Sequence, residues 1–204
     1  MQRILFIDGR NFLRKIGNSL NSSKSNNPEG DFEIDHAKIN FKKFNFSKLI
    51  NKVLAGIAID RKIFYMGKLI VHQETTKQSK VLIERQRVLK THLENQGFEV
   101  IITGRVRGHI EKCPKGHETL TFKEKGVDVK IAVDMITMAR DNKLKLAIIG
   151  SSDSDLQPVI KELKNQNIER IYLGFESQPN KGLSYTTNRT ILIRNSEILE
   201  CLEF

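Results

Sequence analysis

Four carboxylates stand out for where they fall along the chain. Asp8 closes the run Arg3–Asp8 (RILFID) and is followed at once by Gly9. Asp153 and Asp155 lie in GSSDSD, directly after the apolar run Leu144–Ile149 (LKLAII). Asp128 lies in EKGVDVKIAVDM, in the first turn of the helix expected to lead into that run. A core cannot explain charges at these points, but one end of a sheet can. In open α/β sheets, ligands bind beyond the carboxyl ends of the strands, where the strand order reverses. If the strands ending at Asp8 and Gly150 are neighbours there, Asp8, Asp153 and Asp155 converge, and Asp128 closes the cluster from the covering helix. Carboxylates packed together repel, and some of their pKa values rise unless a cation sits among them. Hard oxygen ligands of this kind suit Mg²⁺ or Mn²⁺. Such ions, held by carboxylates, water and substrate phosphate, serve metal-assisted phosphodiester hydrolysis.

Each acid also has a plain structural reading. Asp8 could end a strand in a turn with Gly9. Asp153 or Asp155 could cap the next helix, because SSDSD is rich in capping residues. Asp128 suits the positive end of a helix. Asp134, four residues after Lys130, could form a helical ion pair. It lies some 120° around the helix from Asp128 and is a second-tier candidate. The functional reading rests on four acids falling at one end of one sheet.

The elements that must position them are readable. Arg3–Asp8, Arg61–Met66, Phe98–Thr103, Leu144–Ile149, Arg170–Leu173 and Ile191–Ile193 are short apolar runs that read as buried strands. Helical spacing falls between them. The longest pattern runs from Thr76 to Gln96, with Val81, Leu82, Val88, Leu89 and Leu93 as its stripe and Gly97 as its stop. Strands that are continuously apolar and alternate with helices describe a mostly parallel sheet covered on both faces. Two departures are expected: an exposed Asn/Ser-rich loop at about 17–31, and a hairpin insertion at about 104–123 around CPKGHE. The whole of 1–204 reads as a single α/β domain, within the usual ~100–200 residues.

The charge balance narrows the partner. Lys and Arg number 34 against 24 Asp and Glu, a formal charge of +10. Between Arg61 and Lys125 there are 14 Lys and Arg against 7 Glu and no Asp. Arg85 and Arg87 on the long helix, with Arg105, Arg107, Lys123 and Lys125 in or beside the hairpin, would make a phosphate-tracking surface without sequence readout. Arg10, beside Asp8, is a further candidate to contact nucleic acid. No apolar run reaches ~18 residues, which excludes a spanning helix. MQRILFIDGRNF does not read as a signal peptide, and two cysteines make no disulfide framework. A cytoplasmic setting is expected; self-association is left open.

FIDGRN, KGVDVKIAVDM and GSSDSD, in that order, resemble the NYN domain of the PIN-like nuclease superfamily, and most closely its bacterial LabA-like branch. The resemblance implies a Rossmann-like, three-layer fold and a Mg²⁺- or Mn²⁺-dependent endoribonuclease acting on single-stranded or loop RNA. It would make Asp8, Asp128 and Asp153 the metal-binding core, with Asp155 in support and Asn11 orienting a water or phosphate. Asp134 falls on an aspartate the family also tends to carry. Ser152 departs from the glycine usual before the third aspartate; its hydroxyl could donate to a phosphate. Two other readings stay open: a catalytically silent RNA-binding module, to which Ser152 points, and a nuclease acting on structured DNA.

Competing sites fare worse. His109, Cys113 and His117 are spaced four apart, but Pro114 and Gly116 interrupt any helix between them and a fourth zinc ligand is missing. A phosphatase with an aspartate after its first strand would need another two residues on, where Arg10 stands. There is no Gly-rich phosphate loop of the Walker type.

Overall fold

Ile4–Ile7 are apolar on both sides of the strand they form, and both sides are buried. This places them in the middle of a covered sheet. The computed structural model describes residues 1–21, 41–71, 76–112 and 118–202. Its strands are β1 (Gln2–Asp8), β2 (Arg61–Leu69), β3 (Glu99–Lys112), β4 (Glu118–Lys125), β5 (Leu144–Gly150), β6 (Glu169–Phe175) and β7 (Arg189–Ile193). Its helices are α1 (Gly9–Asn21), α2 (Phe46–Val53), α3 (Thr76–Asn95), α4 (Val127–Arg140), α5 (Gln157–Asn165), α6 (Lys181–Thr186) and α7 (Asn195–Leu199).

Among the described residues the sheet has seven strands in the order β4-β3-β2-β1-β5-β6-β7. All neighbours are parallel except β3 and β4, which form an antiparallel hairpin. The chain leaves β1 towards β2 and β3 on one side and later returns to β5 on the other. The order therefore reverses between β1 and β5. This is the mostly parallel, three-layer α/β architecture expected.

Alternation along β1 divides the core. Leu5 and Ile7 pack with Phe12 and Ile16 of α1, Phe46 and Leu49 of α2, and Leu93 of α3. Ile4 and Phe6 pack with Val127, Ile131 and Met135 of α4, and Ile160 and Leu163 of α5. On the first face, Phe46 is the hub of an aromatic cluster. Its ring lies 4.8 Å from Phe44, 6.1 Å from Phe41, 6.2 Å from Phe64 and 6.4 Å from Phe98.

Several expectations are corrected. Helix α1 runs to Asn21, so the start of the expected 17–31 loop is helical. Gly17 and Ser19 are buried, and the Ser19 hydroxyl donates to the Lys15 carbonyl. Packing against the sheet overrides the weak helix propensity of Gly, Asn and Ser. Residues 22–31 lie outside the described residues. Strand β3 does not stop at Thr103 but continues to Lys112, so the hairpin is built from two long strands. Gly104, at φ +61°, accommodates the bend where the β2–β3 register shifts. Cys113 and His117 lie outside the described residues, while His109 falls within β3. In α3, Val81 is 51% exposed and Ser79 is buried instead. Helix α6 had no apolar stripe to reveal it. Gly97 does end the α3 region, at φ +80°.

Phe46→Ala should cost about 3–5 kcal/mol, as expected for emptying an aromatic site in a closed core. A urea titration should show a lower midpoint with an unchanged slope.

Candidate active site

Asp8 ends β1, and Gly9 opens α1 with no loop between them. A Cβ on Gly9 would strike the Phe64 ring and the Tyr65 carbonyl oxygen of β2, so only glycine lets the chain turn this tightly. The alternation that puts Ile4 and Phe6 on the α4 side puts Asp8 there too. Asp8 is only 8% exposed. Its Oδ1 accepts the Asn11 N–H at 3.1 Å, and its Oδ2 accepts the Ser151 hydroxyl at 3.1 Å. Burial pushes the carboxyl above its ordinary range. These two hydrogen bonds pull it back, the Asp153 charge raises it, and the Arg10 charge lowers it.

The β5 end meets β1 directly, with Ile7 paired to Gly150. Ser151, buried at the next position, donates to Asp8 and accepts the Asp153 N–H at 3.1 Å. Asn11 Oδ1 accepts the Ser152 N–H at 3.1 Å, so this side chain clamps the two loops together. Ser152 Oγ lies 3.2 Å from the Tyr172 hydroxyl, and its carbonyl accepts from Asn180 Nδ2 at 2.9 Å. The Ser152 hydroxyl is therefore engaged with Tyr172 in this structure. Asp153 caps the short 3₁₀ turn Ser154–Leu156, its Oδ1 accepting the Asp155 N–H at 3.0 Å. Asp155 itself is exposed.

Asp128 is the second residue of α4 and half-buried. Gly126, at φ +87°, makes the turn from β4 into that helix. Asp134 lies further down α4, away from the sheet end. It accepts from the Tyr65 hydroxyl at 3.0 Å and from Lys130 Nζ at 2.6 Å. Burial, then the Asp134 charge, pushes the Tyr65 phenol up. Asp134 is thus a buttress between α4 and β2 rather than part of the carboxylate group.

Glu124 is not among the acids that the sequence singles out. Its Oε2 accepts the Gly67 N–H at 3.1 Å, and a Cβ on Gly67 would occupy the space of that carboxylate. Burial first, then the charges of Asp8 and Asp128, push Glu124 up to about 7, against the Arg10 charge and the Gly67 N–H. A period-two signal was present: Glu124 shares its strand face with the buried Phe122, while Lys123 and Lys125 are exposed.

The cations take three different positions. The Arg10 guanidinium donates to the Phe122 carbonyl at 3.0 Å, tying the start of α1 to the hairpin. Arg85 is exposed on α3, and Arg87 pairs with Glu84 at 3.1 Å. Arg105 pairs across the hairpin with Lys125, and Arg107 with Lys123. The hairpin borders the carboxylates through Glu124, but these four cations lie on its other face.

The donor set is of hard oxygens, and its members sense one another: Asp8 with Asp153, and Glu124 with Asp8 and Asp128. That chemistry fits a divalent cation. Among the described residues, no three Asp, Glu, His or Cys side chains stand close enough to hold a metal ion as they are.

A Rossmann-like sheet with carboxylates at its β1–β5 reversal defines a class of α/β proteins with an acidic sheet-end site. The chain belongs to the NYN domain family, whose model matches residues 3–194. Among solved structures, a protein of unknown function from Vibrio parahaemolyticus is similar in fold. It is 16% identical, with a TM-score of 0.55, over 94% of this chain and 93% of that one. No curated protein matches the sequence. No helix among the described residues is long and apolar enough to cross a membrane.

The raised Glu124 carboxyl makes stability depend on pH. Its folded pKa lies above the ordinary value, so its stabilising share is full below about 4.5 and is lost as pH rises through about 7. Glu124→Gln should therefore melt higher than the parent at about pH 8, by on the order of 2 kcal/mol, and alike at about pH 5. Thermal melts in chelator at the two pH values check this.

Proposed function

We propose that this NYN domain is a divalent-metal-dependent endoribonuclease that hydrolyses RNA phosphodiester bonds. The observation that carries the reading is the buried Asp8 carboxylate at the β1–β5 reversal, within the fields of Asp153, Glu124 and Arg10. Family membership supplies the reaction class. Asp8, Asp128 and Asp153 would hold Mg²⁺ or Mn²⁺. When bound, the ion supplies an activated water and offsets charge on the scissile phosphate.

The chain's own groups do the rest. Ser151 keeps Asp8 and the Asp153 backbone in fixed relation through one hydroxyl. Asn11 holds the β5 loop against α1, which keeps the two strand ends in register. Asp155, exposed beside Asp153, would orient solvent. Glu124, at about 7, can carry a proton near neutral pH. Hydrolysis forms a P–O bond to water and breaks the P–O bond to the leaving nucleoside oxygen, which takes up a proton.

A non-catalytic RNA-binding module is the second reading. It is favoured by Ser152, which stands where the resemblance would put glycine and whose hydroxyl lies 3.2 Å from that of Tyr172. Cleavage of end-labelled RNA with Mn²⁺, with and without chelator, separates the two. Asp8→Asn and Asp153→Asn should each reduce metal-dependent cleavage at least a hundredfold while RNA binding persists. Undiminished metal-dependent cleavage by both variants would remove the mechanism. Competition between RNA and DNA of one sequence tests the substrate, since only RNA offers a 2′-hydroxyl.

A further inference from the structure

The hairpin has two chemically distinct faces. Val106, Phe122 and Glu124 share the inner one, with Val106 paired to Leu69 of β2. Successive residues of a strand point to opposite faces. The outer face therefore carries Arg105 and Arg107 of β3 with Lys123 and Lys125 of β4, all exposed. Lys68 of β2, exposed between Gly67 and Leu69, falls on the same side. Five successive outward positions over three adjacent strands are thus cations.

Such a patch gathers like charges at one edge of the sheet. Arg105 lies directly opposite Lys125, and Arg107 directly opposite Lys123. Like charges so placed destabilise a hairpin. The arrangement gains from a polyanion laid across it. The two cross-strand pairs lie about 7 Å apart along the strands, a spacing suited to successive phosphates of an extended strand. The hairpin's Phe122 is buried on the inner face, so no base stacks on it.

We propose that the outer face of the β3–β4 hairpin, with Lys68, binds the phosphate backbone of a single RNA strand, which must round the β4 edge to reach the carboxylates. The proposal rests on RNA being the substrate of that site and adds where the strand is held. The acidic inner face and the basic outer face divide the work: one repels the backbone except where a cation sits, and the other supplies the attraction. The contact is sequence-independent and salt-sensitive.

The test uses the full chain in chelator, so that binding is read without cleavage. A labelled unstructured RNA is titrated by fluorescence anisotropy over a range of KCl. Wild type is compared with R105Q/R107Q/K123Q/K125Q. The expected result is about tenfold or greater weakening at low salt, with a log–log salt slope smaller by about 3 for four lost phosphate contacts. Thermal melts of the variant check that it is folded. The double variant K123Q/K125Q should lose about half that slope, and it decides the matter if the quadruple variant misfolds. An unchanged Kd and slope in folded variants would overturn the proposal. So would wild-type binding to phosphatidylserine vesicles but not to RNA. Asp8→Asn run in parallel separates the two claims. RNA held through the hairpin but never cut by wild type leaves this surface standing and removes the nuclease reading. Cleavage that needs Asp8 but ignores the four cations does the reverse.

Discussion

A carboxylate taken out of water needs hydrogen bonds or a counter-charge, and the loops at the end of β1 are arranged around that need. Asp8 obtains one bond from its own turn, through the Asn11 N–H, and one from β5, through Ser151. Ser151 can reach it only because β1 and β5 are direct parallel neighbours. Its hydroxyl then accepts from Asp153, which in turn caps the following turn. One buried charge therefore organises the junction between two strands distant in sequence. Asn11 and Asn180 hold the same junction from either side by bonding to the Ser152 backbone.

The hairpin completes this junction on the third side. Arg10 reaches the Phe122 carbonyl, and Glu124 reaches the Gly67 N–H. These two contacts hold β4 against the sheet end and bring a further carboxylate to the site. The pleat then separates charge by face. A strand that alternates Phe122, Lys123, Glu124 and Lys125 must send its acid inward and its bases outward.

Much of this was legible in the residues. Continuous apolar strands alternating with helices imply a covered parallel sheet, and the acids at two strand ends imply neighbours at a reversal. Asp153 takes its capping reading, and its charge acts on Asp8 as well. Other features were hidden for physical reasons. Ser151 is a small polar residue whose part depends entirely on a partner 143 residues away. Tyr65 looked like core, and its hydroxyl gives Asp134 a structural place. Gly17 and Ser19 have loop composition, and only tertiary packing makes them helix. Glu124 was readable from its alternation with Phe122, but a charge between two lysines resembles ordinary surface.

The sequence distances across the junction have a consequence for synthesis. Arg10 and Phe122 are 112 residues apart, and Asn11 and Ser152 are 141 apart. Contacts of such separation form late, and chains are made from the amino end. A nascent chain that has reached Gly150 already carries Asp8, Glu124 and Asp128. It still lacks Ser151 and Asp153, and β1 has no hydroxyl to steady its carboxylate. The last clamp on Ser152 arrives with Asn180. Assembly of the sheet end is thus deferred until the chain has passed Asn180, a timing set by topology alone.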